Sequence, residues 1–127
     1  MPAPDILLVD DDADIREALM LALELEGYAV AAARHGGEAW ALLDAGVRPA
    51  LILLDLAMPV LSGPELLARI RADARLAALP IVILTAFGSL AAGVSDAANG
   101  CLHKPVDLAD LLSIVARHCA PHAASTG

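Results

Sequence analysis

Asp10 and Asp11, Asp55, Thr85 and Lys104 each stand at or just past the end of a short apolar run. An acid placed where a buried run ends is either held for a purpose or badly placed. Several carboxylates brought together repel and resist ionisation unless a cation neutralises them. A hard divalent ion does this, and Mg²⁺ is typically held by one or two carboxylates, waters and phosphate oxygens. No His or Cys falls at ligand spacing, so zinc and copper lack donors here. An aspartate can also act as a nucleophile toward phosphorus. The group transferred spreads charge over three equatorial oxygens, and catalysis is mainly their positioning and neutralisation. Mg²⁺ would suit one oxygen, the ammonium of Lys104 a second and the hydroxyl of Thr85 a third. A lone Asp after a strand is usually a helix cap, and a lone Lys before Pro is usually solvated. The joint placement at four strand ends carries the chemical reading.

Those residues need a scaffold that brings strand ends together. Leu51 to Leu54 contain no turn former and read as a strand buried on both faces, with Asp55 at its carboxyl end. Pro59 limits the strand, and Ser62-Gly63-Pro64 makes a turn with a proline suited to the first helical position. Ile6 to Val9, followed by Asp10-Asp11-Asp12, repeats the pattern. Asp12 or Asp14 can cap the next helix, in which Ile15, Ala18, Leu19, Ala22 and Leu23 recur at helical spacing until Gly27. Met20 and Leu21 fall outside that stripe and read as ordinary surface, with a docking surface as the alternative. An alanine-rich second strand is expected over 28–33, and a helix from Gly36-Gly37 through Leu43. A third helix is expected over 65–74 with Leu66, Leu67 and Ile70 inward, then a fourth strand over 80–84 ending in Thr85. Cys101 to His103 make a short fifth strand, and Asp107 caps a last helix with Leu108, Leu111, Leu112, Val115 and Cys119 on one face. Strands alternating with helices imply a parallel sheet covered on both faces, and right-handed crossovers put all the carboxyl ends on one edge. In open α/β sheets ligands bind at that edge.

Composition narrows the classes. The 127 residues suit one domain, expected over 1–119, with 120–127 as a small, polar tail or linker stub. The chain is 58% hydrophobic with a mean hydropathy of +0.67, yet holds one Trp, one Tyr and one Phe, so its core must be aliphatic. A net charge of −8 disfavours nucleic acid and anionic membranes as partners. The uncharged stretch 76–95 is broken by Pro80, Gly88 and Gly93, and its apolar run is too short to cross about 30 Å of hydrocarbon. No signal-peptide pattern precedes Asp5. Cys101 and Cys119 fit neither a disulfide framework nor a metal motif, and reduced thiols in the cytoplasm are expected.

The set Ile6-Leu7-Leu8-Val9-Asp10-Asp11-Asp12, Leu53-Leu54-Asp55-Leu56-Ala57-Met58-Pro59, Ser62-Gly63, Leu84-Thr85-Ala86 and Lys104-Pro105 resembles the receiver domain of two-component response regulators, of the single-domain chemotaxis type. The resemblance runs from about Asp5 to His118. It implies a flavodoxin-like, doubly wound α/β fold with a five-stranded parallel sheet in the order 2-1-3-4-5. It implies Asp55 as phosphoacceptor, Asp11 as direct metal ligand, Asp10 as its water-mediated partner, and the main-chain carbonyl of Ala57 as a further Mg²⁺ ligand. Thr85 and Lys104 take the places of the phosphate-sensing hydroxyl and the ion-pairing lysine. A histidine kinase or histidine phosphotransfer protein would supply the phosphoryl group, docking near the first helix. The output would pass through protein contact, with a homodimer compatible with the apolar excess.

Two departures bear on that output. The position three before the lysine, usually aromatic in the family, is Cys101 here, and Phe87 is the only Phe that could substitute. The segment between Thr85 and Lys104 is shorter than the family pattern and punctuated by Gly88, Gly93 and Gly100, so the fourth helix is expected to be short or irregular. A receiver-like interaction module that no longer switches is therefore the alternative reading. A true enzyme is disfavoured: an aspartate-nucleophile phosphatase needs an acid two residues after the nucleophile, where Ala57 stands. No GxxxxGK[ST] or GxGxxG follows the first strand.

Overall fold

The computed structural model describes residues 4–55, 63–85 and 98–119. Five strands alternate with helices in chain order: β1 (Ile6–Val9), α1 (Ala13–Leu25), β2 (Val30–Ala33), α2 (Gly36–Asp44), β3 (Leu51–Asp55), α3 (Gly63–Ala72), β4 (Ile81–Thr85), β5 (Gly100–His103) and a C-terminal helix (Leu108–Ala116). The strands form one sheet in the order β2-β1-β3-β4-β5, and every neighbouring pair is parallel. This is the flavodoxin-like arrangement expected from the sequence.

Alternation along each strand divides the core into two layers. Leu7, Val9, Ile52, Leu54, Ile81 and Ile83 face α2 and α3, where they meet Ala39, Leu43, Leu66, Leu67 and Ile70. Ile6, Leu8, Leu51, Leu53, Val82 and Leu84 face the other way, against Leu23 of α1 and Leu111 and Val115 of the C-terminal helix. All five residues of β3 and of β4 are buried, as runs covered on both faces require. The same alternation aims Asp55, the last residue of β3, at the α1 side.

Asp12 is the residue that caps α1, its Oδ1 accepting the amides of Asp14 and Ile15 at 2.9 and 3.1 Å. Gly27, at φ 95°, ends that helix. β2 is shorter than the expected 28–33, because the Tyr28 amide bonds Leu23 O to close α1, and pairing starts at Val30. α2 is capped by His35, whose Nδ1 accepts the Glu38 amide at 3.1 Å while Glu38 Oε1 accepts that of Arg34 at 2.9 Å. α3 runs two residues ahead of the expected 65–74 at both ends. Pro64 starts it early, and the Asp73 amide turns back to Ile70 O.

Three side chains lie otherwise than the periodicity suggests. Ala18 is exposed and Leu108 is 50% exposed, and neither joins a core layer. Met20, read as surface, is half-buried against the α1-side core, whereas Leu21 is exposed as expected. The expected fourth helix, with Phe87, Gly88 and Gly93, falls in residues 86–97, and Ala57, Pro59 and Ser62 in 56–62. Both segments, and the tail 120–127, lie outside the described residues.

Arg75 joins the turn after α3 to α2: its Nη2 reaches Asp73 Oδ2 at 2.8 Å and Asp44 Oδ1 at 3.0 Å. Hydrogen bonds from Arg75 hold the Asp73 carboxyl down at about 2, well below the ordinary carboxylate range. A depressed folded-state value contributes stability that is present above about pH 4 and is lost as pH falls toward 2. Carbon-detected NMR titration should therefore find Asp73 titrating near 2 in the parent and higher in Arg75→Ala, though still below its ordinary value because the backbone amide of residue 75 still donates to Asp73 Oδ1. Identical titration curves in the two proteins would refute the assignment.

Candidate functional site

Register assembles the site. Val9 pairs with Leu54, so Asp10, one residue further, stands beside Asp55, while Asp55 pairs with Leu84 and Thr85 with His103. Asp10, Asp11, Asp55, Thr85 and Lys104 thus gather along the carboxyl edge of β1, β3, β4 and β5. A carboxylate oxygen from each of Asp10, Asp11 and Asp55 lies within 4.8 Å of the others. Asp10 is fully buried, Asp55 is 4% and Thr85 5% exposed, and Asp11 faces solvent.

Among the described residues, Lys104 brings an ammonium to this cluster. Lys104 Nζ donates to Asp10 Oδ2 at 3.1 Å and sits 3.4 Å from Asp55 Oδ2. Burial opposes the lysine's charge. The hydrogen bond to Asp10 and the field of Asp55 more than offset this and hold the ammonium above its ordinary value. The lysine's own amide donates to Thr85 O at 2.6 Å, so the end of β4 and the residue that leaves β5 are fixed to each other. Asp10 takes two further bonds: the Asp12 amide donates to its Oδ1 at 2.9 Å, and Arg16 Nη1 to its main-chain carbonyl at 2.9 Å. Among the described residues, no buried side-chain polar atom is left without a hydrogen bond.

Three carboxylates against one ammonium leave two negative charges in a partly closed pocket, and one of the three, Asp11, opens to solvent. That donor set is all oxygen and suits a hard, partly hydrated divalent cation rather than a softer metal. Asp10, Asp11 and Asp55 are therefore brought together as the sequence suggests, with Thr85 and Lys104 on the same edge. The Ala57 carbonyl lies outside the described residues. Sequence reading missed Arg16. Its signal was a basic residue four positions past the helix cap in an acidic stretch, which periodicity alone does not distinguish from a solvated one.

The model of the response regulator receiver domain matches residues 6–116. Among curated proteins, the chain is 38% identical over 125 residues to the response regulator Rre1 of Synechocystis. That match takes in 95% of this chain but 54% of the relative, so the chain spans about half of that protein's length. Among solved structures, the chemotaxis response regulator CheY4 of Vibrio cholerae superposes with a TM-score of 0.82 at 31% identity, covering 93% of this chain and all of the other. The response regulator TrrA of Thermotoga maritima, crystallised in complex with Mg²⁺ and BeF, gives 0.81 at 33% identity, covering 90% of this chain and 97% of the other. No helix among the described residues is long and apolar enough to cross a membrane.

Proposed function

The chain belongs to the response regulator receiver domain family, and from that membership we propose that it is a phosphorylation-dependent receiver whose phosphoacceptor is Asp55. In this reading an Asp55 carboxylate oxygen attacks the phosphorus of a phosphohistidine on a histidine kinase or phosphotransfer protein. The O–P bond forms, the P–N bond breaks, and its electron pair leaves with the imidazole. Asp10, Asp11 and Asp55, with the main-chain carbonyl of Ala57, would hold Mg²⁺. When bound, that ion neutralises charge on the phosphoryl oxygens. Lys104 pairs with a second oxygen, and Thr85 donates its hydroxyl to a third. Catalysis by the chain is limited to its own phosphorylation and hydrolysis, and a cytoplasmic location rests on the family alone.

The observation that carries the reading is the position of Lys104 Nζ, within 3.4 Å of both buried acids at one corner of the carboxylate cluster. An ammonium there faces whatever Asp55 receives. The phosphoryl group adds a charge of roughly −1.5 to −2 and three acceptor oxygens, enough to draw a neighbouring donor and its loop inward. The result is a population shift read by a protein partner or a second copy of the chain.

Cys101 favours keeping the second reading, a receiver-like module that does not switch. Its side chain is half-buried against the α2–α3 core layer and is too small for the inward and outward swing available to an aromatic ring.

Intact mass after treatment with acetyl phosphate, with and without Mg²⁺, tests the chemistry. A single phosphoryl addition that requires Mg²⁺ is expected. No addition from acetyl phosphate or from a phosphohistidine donor, in protein that binds Mg²⁺, would sink the receiver reading. Addition without any change in hydrogen exchange or elution would favour the non-switching module.

A further inference from the structure

Asp10 and Asp11 are consecutive, so the two carboxylates they bring to the metal site hang from one peptide unit. That unit is planar and stiff, and its carbonyl belongs to Asp10 while its amide belongs to Asp11. Turning the plane changes the direction in which both side chains leave the backbone. β1 ends at Val9 and α1 begins at Ala13, and the last ladder bond, from the Asp10 amide to Ala33 O at 3.2 Å, comes before the plane. The Asp10 carbonyl beyond it is restrained by a hydrogen bond from a side chain.

Arg16 supplies that restraint. Its backbone is fixed in the first turn of α1 by the bond from its amide to Asp12 O at 2.9 Å. Its side chain reaches back along the helix, and Nη1 donates to the Asp10 carbonyl at 2.9 Å across six residues of sequence. The opposite side of the connection is held by the Asp12 amide on Asp10 Oδ1 and by the Asp12 cap. Among the described residues Arg16 forms no ion pair, although acids crowd the start of α1. The carbonyl is its partner.

We propose that Arg16 is a positioning residue of the Mg²⁺ site, which fixes the Asp10–Asp11 peptide plane and so the angle at which those two carboxylates meet the ion. The inference rests on the metal-dependent reading above. Groups that orient metal ligands from outside the ligand set change affinity by about 10- to 100-fold when removed. Calorimetric titration with Mg²⁺ at 25 °C, on proteins shown to be folded by circular dichroism, should give about tenfold weaker binding in Arg16→Met and Arg16→Gln. Neither side chain can make the charge-assisted bond over that reach. Arg16→Lys, which keeps a donor of nearly the same length, should recover part of the loss.

Either folded variant binding Mg²⁺ as tightly as the parent would overturn the proposal, as would Arg16→Lys binding no better than Arg16→Met. Asp11→Asn separates this failure from that of the underlying reading. If the parent and Asp11→Asn bind Mg²⁺ alike, the acids are not a metal site and both inferences fall together.

Discussion

Asp55→Asn should abolish phosphoryl addition while making the Mg²⁺-free protein more stable than the parent. The first effect is chemical, because a carboxamide of the same shape offers no anionic oxygen to attack phosphorus. The second follows from the charges. At an effective dielectric of about 20, each like-charge pair at 4.8 Å costs about 3 kcal/mol, and the pair with Lys104 at 3.4 Å returns about 5 kcal/mol. Asp11 is exposed, so its share of the repulsion is screened, and attraction and repulsion nearly cancel. Burial then decides the sign. Asp55 is 4% exposed, and its charge carries a desolvation penalty that a neutral amide avoids. An Asn oxygen can still accept from Lys104, so the ammonium keeps a partner there. Chemical denaturation should show a gain of about 1 kcal/mol without Mg²⁺, and Mg²⁺ should stabilise the parent more than the variant. A destabilised variant would mean that attraction to Lys104 outweighs both other effects.

The strands that build the site were the most legible part of the chain. β1, β3 and β4 are uninterrupted aliphatic runs closed by a polar residue, a pattern few other structures allow. Their parallel order alone puts Asp10, Asp55, Thr85 and Lys104 on one edge. Boundaries were less legible where a local turn bond decides them. β2 starts late because the Tyr28 amide belongs to the end of α1, whereas α2 starts at Gly36 as expected, on a histidine cap. Met20 escaped because a long, unbranched side chain can reach the core from a position the helical stripe leaves out. Arg16 escaped for the same physical reason: periodicity reports where a Cα lies, whereas a guanidinium acts a turn or more away. Arg71 shows it again. Its guanidinium bonds Ala77 O, Leu79 O and Asn99 Oδ1, and Asn99 Oδ1 in turn accepts the Ile81 amide, so one arginine ties α3 to the starts of β4 and β5.

Lys104→Met should be the reverse case, lowering unfolding free energy by about 3 kcal/mol in Mg²⁺-free buffer. Methionine keeps most of the apolar stem's volume, so the loss reports charge rather than packing. The asymmetry with Asp55→Asn lies in the count of charges: the pocket holds three carboxylates and one ammonium. Removing an anion relieves repulsion, whereas removing Lys104 takes from Asp10, fully buried, and from Asp55 the ammonium that each faces within 3.4 Å. The Asp12 amide still serves one Asp10 oxygen, which keeps the cost at the lower end of the range for a broken buried pair, about 3 to 5 kcal/mol. Mg²⁺ then has more to offset, so its stabilising increment in the variant should exceed that in the parent. Urea denaturation of both proteins with and without Mg²⁺ measures all four terms. A loss under about 1 kcal/mol in Mg²⁺-free buffer would place Lys104 among ordinary surface ion pairs and remove the electrostatic argument for its facing a phosphoryl group.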